Sequence, residues 1–85
     1  MMDLDLRNYS QDEREVLYQS LSTEQTRILE MRFGLLPRPG RHVGDPMTLG
    51  EVALVLNKTR EEVRRLEAQA LQKIRRDAEL VLHDV

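Results

Sequence analysis

Thr48-Leu-Gly-Glu-Val-Ala-Leu-Val-Leu-Asn-Lys-Thr-Arg-Glu-Glu-Val-Arg-Arg-Leu-Glu-Ala-Gln-Ala-Leu-Gln-Lys-Ile-Arg-Arg76 reads as two helices divided by a corner. Thr48 with Glu51, and Thr59 with Glu62, have the spacing of capping boxes, in which a hydroxyl and a carboxylate satisfy orphan backbone donors reciprocally. Leu49, Val52, Ala53 and Leu56 form the inward stripe of the first helix. Asn57 suits the left-handed residue that ends it. Only Lys58 then separates it from Thr59, so the two helices must turn sharply, as in a helix-turn-helix unit whose second helix can enter a major groove. On that second helix Val63, Leu66, Ala70 and Ile74 repeat at helical spacing. The opposite face collects Glu61, Arg64, Arg65, Ala68, Gln72, Arg75 and Arg76.

The same capping signal recurs upstream at Ser10/Glu13 and Ser22/Gln25. It predicts a first helix from about Gln11 to about Ser20, burying Val16 and Leu17. A second follows Ser22, with Ile28, Leu29 and Phe33 inward and Gly34 as its left-handed stop. Residues 35–47 contain all three prolines and read as an exposed Pro/Gly loop carrying His42. The last helix is expected to run to about Leu82 and to fray there, because Asp77, Glu79 and Asp84 oppose the helix dipole. The fold class is therefore all-α: one small domain over residues 1–85, four main helices, a helix-turn-helix at about 48–67 and no β elements.

Composition agrees. The 85 residues are 40% hydrophobic and 33% charged, in the range of a folded soluble domain. With only one Phe and two Tyr, the core must be aliphatic. There are no cysteines, so disulfides and thiolate sites are excluded. No apolar run approaches the length of a membrane span and no signal peptide opens the chain, so no membrane partner is expected and a cytoplasmic location is. No phosphate-cradling loop, nucleophile set or metal-spaced cluster appears, which points away from an enzyme, a metal, a cofactor or a small-molecule substrate. The net charge of −2 hides a local excess: residues 48–76 carry seven basic and four acidic side chains, the segments on either side being acidic. Arg60, Glu61, Arg64 and Arg65 supply guanidinium forks and a carboxylate within two turns, the chemistry that reads guanine and cytosine edges. By itself this pattern fits either DNA contact or a solvated amphipathic helix.

Leu21-Ser-Thr-Glu-Gln-Thr-Arg-Ile-Leu-Glu-Met-Arg-Phe-Gly-Leu35 resembles the helix that opens the C-terminal domain, region four, of bacterial primary sigma factors. Thr48–Arg76 resembles that domain's helix-turn-helix, and Arg14–Leu17 the helix leading into it. The resemblance spans about residues 11–76. It implies a transcription-initiation module that reads the −35 promoter element and docks on the flap of the RNA polymerase β subunit, in the bacterial cytoplasm and nucleoid-associated through polymerase. By position it implies that Arg60 and Glu61 open base recognition, with Arg64 in the groove or on a phosphate and Arg65 facing the groove. Thr59 caps and touches the backbone, Arg32 reaches a phosphate, and Leu49 with Glu51 approach the DNA backbone. Gln69, Gln72, Lys73, Arg75 and Arg76 fall where activators dock. The alternative is a freestanding protein-interaction module that regulates polymerase by binding the flap, an anti-sigma factor or an activator, with little DNA contact.

This sequence departs from the family pattern in several places. Glu62 stands where a basic residue is usual, Arg65 where Gln is usual, and Asn57 where the turn usually has Gly. Lys58 replaces an apolar residue, so its stem must cover the core while its amine escapes. Gln69 and Gln72 replace basic residues, and the Pro-rich loop is long.

Overall fold

The computed structural model describes residues 5–35 and 45–78. Every helix in it begins as the sequence dictates. Helices α1 (Gln11–Tyr18), α2 (Thr23–Arg32), α3 (Leu49–Leu56) and α4 (Arg60–Asp77) are each entered through a complete capping box, at Ser10/Glu13, Ser22/Gln25, Thr48/Glu51 and Thr59/Glu62. A short 3₁₀ turn at Leu6–Asn8, capped by Asp5, precedes α1. No strand occurs among the described residues.

The helix ends are equally local in origin. Gly34 (φ 67°) stops α2: the Leu35 N–H reaches back to the Glu30 carbonyl at 2.9 Å and the Gly34 N–H to Met31 at 3.3 Å. Asn57 (φ 56°, ψ 49°) stops α3 by the same pattern, with the Lys58 N–H donating to the Ala53 carbonyl at 2.9 Å. Both are Schellman closures, and Asn is among the few side chains that tolerate the left-handed region. The chain leaves Asn57 and Lys58 directly into the Thr59 cap, so α3 and α4 are joined by the short corner that makes a helix-turn-helix.

Two apolar clusters hold the helices. Ile28, Met31, Met47, Val52, Ala53 and Val63 form one, with Leu49, Leu56 and Leu66 at its margin. Leu6, Leu17, Leu29, Ala70 and Ile74 form the other, edged by Tyr9, Tyr18, Leu21, Phe33, Leu35 and Leu71. Helix α4 runs through both, its first turns packed on α3 and its later turns on α1 and α2. The α4 stripe is as expected, with Val63, Ala70 and Ile74 fully buried and Leu66 half-buried.

Three expectations need correction. Val16 is 40% exposed. Helix α1 is only eight residues long and presents one residue, Leu17, squarely to the core. Its neighbour is rotated about 100° away, and the apolar clusters of the described residues do not include it. The α1 helix also ends at Tyr18 rather than Ser20, where the chain turns into the Ser22 cap. The loop expected to be exposed over 35–47 is anchored at both described ends: Met47 is buried in the first cluster and Leu35 packs on the second, because each continues the apolar layer beside α2. Its middle, 36–44 with His42, and the expected continuation of α4 towards Leu82 lie outside the described residues.

Candidate nucleic-acid interface

The exposed front of the helix-turn-helix is built from α3's first turn and α4's first two turns. At Thr59 the capping geometry is tight. The Glu62 N–H donates to Thr59 Oγ1 at 3.0 Å, and the Thr59 N–H and hydroxyl donate to Glu62 Oε1 at 3.1 and 3.0 Å. Those bonds, from the Thr59 backbone first and its hydroxyl second, hold the Glu62 carboxyl below the usual glutamate range. Glu62 is thus bent back onto the start of its own helix and does not project as a free carboxylate.

Glu61 and Arg64 are both exposed and pair with each other one turn apart. Arg64 Nε donates to Glu61 Oε2 at 3.1 Å and Nη2 to Oε1 at 2.5 Å, a two-pronged fork. The fork lowers the Glu61 pKa and raises that of Arg64. Arg60 is exposed but leans towards α3: its Nε stands 3.7 Å from where a β-carbon on Gly50 would sit. Thr48, Gly50, Ala53, Leu54, Lys58 and Arg60, with Glu51, line a concavity there. Arg65 is exposed and makes no hydrogen bond or ion pair among the described residues, though Glu61 and Glu62 attract it at longer range.

The structure separates the sequence-derived set into groups. Thr59, Arg60, Glu61, Arg64 and Arg65 come together on the front of α4, and Leu49 and Glu51 flank them on α3, where Glu51 is the capping partner of Thr48. Arg32 is elsewhere. Its Nε donates to Glu67 Oε2 and its Nη1 to the Met47 carbonyl at 2.7 Å, tying α2, the entry to α3 and α4 together from a side chain only 28% exposed. Gln69, Gln72, Lys73 and Arg76 line a second concavity along the rear half of α4; Arg75 is exposed outside its lining.

Other contributors carried no signal in the sequence. Glu67 sits 35 residues from Arg32, and nothing local announces the pairing. Lys58 sends its amine to Glu24 Oε2 of α2 at 3.1 Å, with the side chain 22% exposed. Its stem is covered, but the amine ends in an ion pair across the fold rather than in open water. Leu54, 85% exposed, and Val55, 45% exposed, make the outward side of α3 apolar. No group of acidic or histidine side chains among the described residues could hold a metal ion, and no described helix is long and apolar enough to cross a membrane.

Comparison with known proteins follows the same residues. Positions 17–76 match the family described as "Sigma-70, region 4". The RNA polymerase sigma factor SigA4 of Synechococcus elongatus is 42% identical over 55 residues, which is 65% of this chain and 16% of that protein. The RNA polymerase sigma factor SigA of a Nostoc species is 35% identical over 69 residues, 81% of this chain and 16% of the relative. The RNA polymerase sigma-C factor of the same Nostoc strain is 34% identical over 70 residues, 82% of this chain and 15% of the relative. The chain thus spans about one sixth of the length of the relatives it matches. No solved structure matches it.

Proposed function

This chain belongs to the sigma-70 region 4 family, and from that premise we propose that it is a non-enzymatic promoter-recognition module of bacterial transcription initiation. It reads the −35 element with the front of α4 and docks on the β flap of RNA polymerase. The observation that carries the reading is the division of α4. Val63, Ala70 and Ile74 are fully buried, while Glu61, Arg65 and Ala68 are exposed on the other side and Arg64 on the flank, directly after a two-residue corner. A helix so anchored presents its N-terminal turns to a major groove. Ala68 leaves room for close approach in the middle of that face.

In this reading Arg60 and Arg65 face base edges, with the Glu61–Arg64 pair beside them. Arg64 reinforces the positive potential of the face. Thr59, Leu49 and Glu51 lie against the sugar-phosphate backbone beside the N-terminus of α3. We assign Arg32 to the scaffold, because its guanidinium serves Glu67 and the Met47 carbonyl. The rear concavity at Gln69, Gln72, Lys73 and Arg76, with Arg75 beside it, is the activator-facing side.

A second reading, a protein-interaction module with little DNA contact, is favoured by the exposed Leu54 and Val55. Singly exposed leucines are ordinary, but an adjacent apolar pair on the outside of a helix whose one polar side chain is Glu51 suits a protein contact such as the flap, an anti-sigma factor or an activator. The two readings separate in one experiment. Binding of the full chain to a labelled −35 duplex and to a β-flap fragment is measured separately at one salt concentration. Sequence-dependent duplex binding that weakens steeply with added salt supports the first. Flap binding with no duplex binding at low salt leaves only the second.

A further inference from the structure

Resting on the promoter-reading proposal, we infer that Arg65 is a specificity-determining side chain of this recognition helix. It selects a guanine at one position of the bound element, and Arg64, on the flank beside Glu61, contributes charge without reading a base.

The inference comes from where each guanidinium is committed. A helix turns about 100° per residue. Measured from the buried Val63, Ala70 and Ile74, Arg65 projects about 140° to 180° away, straight out of the domain. Arg64 lies only about 80° to 120° from the same residues, on the flank. Arg60 is closer still to the buried side and leans over Gly50 of α3. Arg64 spends Nε and Nη2 on the two oxygens of Glu61. Arg32 spends its fork on Glu67 and Met47. Arg65 alone among these four combines outward projection with a fork that has no hydrogen-bond or ion-pair partner among the described residues. The edge that accepts two parallel N–H donors from a guanidinium is the O6/N7 edge of guanine. The ammonium of lysine, a single point charge, has no such fork. A glutamine side chain pairs instead with the N6/N7 edge of adenine, so exchanging one for the other should change the preferred base.

The test is selection of the full chain on a pool of duplexes with each position of a −35-like element randomised, at one salt concentration. Circular dichroism confirms that each variant is folded. The wild-type chain is expected to favour guanine at one position by roughly 5- to 150-fold. Arg65→Lys should flatten that position while the others keep their preferences, and Arg65→Gln should shift it towards adenine. Arg64→Ala should lower affinity for all duplexes evenly and make the salt dependence shallower by about one unit. Unchanged preferences in both Arg65 variants, or loss of the guanine preference in Arg64→Ala, would overturn the inference. Failure of the wild-type chain to retain any duplex would overturn the promoter-reading proposal itself, and this inference with it.

Discussion

Removing the Glu67 carboxylate should loosen the whole domain, although Glu67 lies on no apolar cluster and touches no proposed ligand. It is 17% exposed and holds Arg32, 28% exposed, whose other partner is the Met47 carbonyl. In Glu67→Ala the guanidinium keeps that carbonyl and some contact with water but loses its counter-charge. Exposed ion pairs contribute about 0.2–1 kcal/mol, and orphaning a fully buried charge costs about 3–5 kcal/mol. A charge-assisted hydrogen bond contributes about 1.5–3 kcal/mol. The partial exposure of both side chains places the loss near 2 kcal/mol. For a domain of this size that lowers the melting temperature by roughly 8–16 °C. Urea unfolding followed by circular dichroism measures it, and a double-mutant cycle with Arg32→Ala isolates the pair. A coupling of about 1–2 kcal/mol is expected, because each single change leaves the other partner unpaired. Glu67→Ala unfolding within about 0.5 kcal/mol of wild type, with no coupling, would refute the reasoning. It would return Arg32 to the residues available for phosphate.

Three further outcomes follow from single contacts. Tyr18 has a buried hydroxyl that makes no hydrogen bond of ordinary geometry among the described residues, the nearby Arg14 guanidinium donating at 2.7 Å to the Tyr9 carbonyl instead; burial and then the Glu30 carboxylate push its pKa up to about 12, against the weaker pull of Arg14. Tyr18→Phe should therefore raise stability by about 1 kcal/mol and remove the late step from an ultraviolet titration of tyrosinate. Thr59→Ala should cost about 1 kcal/mol at neutral pH. The Thr59 bonds depress the Glu62 pKa, so their contribution is present above the ordinary value of 4.5 and is lost as pH falls through the lower folded value. The variant keeps the Thr59 backbone bond and loses the hydroxyl bonds, of which only the one donated to the Glu62 carboxylate titrates, so the gap between the two melting curves should narrow in acid without closing. Gly50→Ala should stabilise α3 by up to about 1 kcal/mol in thermal melts. A β-carbon there would meet Arg60 and Thr48 at 3.7–3.9 Å, ordinary contact distances.

The elements that could be read from the chain are those whose causes are local. All four capping boxes, the left-handed Gly34 and Asn57, and the buried stripe of α4 depend on residues within a turn or two of each other, and they stand where the spacing puts them. The error at Val16 has the same origin. Periodicity says which residues share a face, but only the neighbouring layer decides how wide a face is covered. The site behaves likewise. The residues on the front of α4 follow from helix geometry. The commitment of Arg32 to Glu67 and of Lys58 to Glu24 depends on which helices pack together, so side chains far apart in the chain decide it. The choice of Arg64 rather than Arg65 as the partner of Glu61 is a matter of rotamers, to which the letters are indifferent.

The account depends most on which surface meets DNA, and a titration of the full chain with a −35 duplex, followed residue by residue in backbone amide NMR spectra, tests that directly. The expected result is a set of shifts concentrated at Thr48–Glu51 and Thr59–Arg65 that disappears as salt is raised. Shifts confined to Gln69–Arg76 or to α1, or a spectrum unmoved by the duplex at low salt, would contradict it.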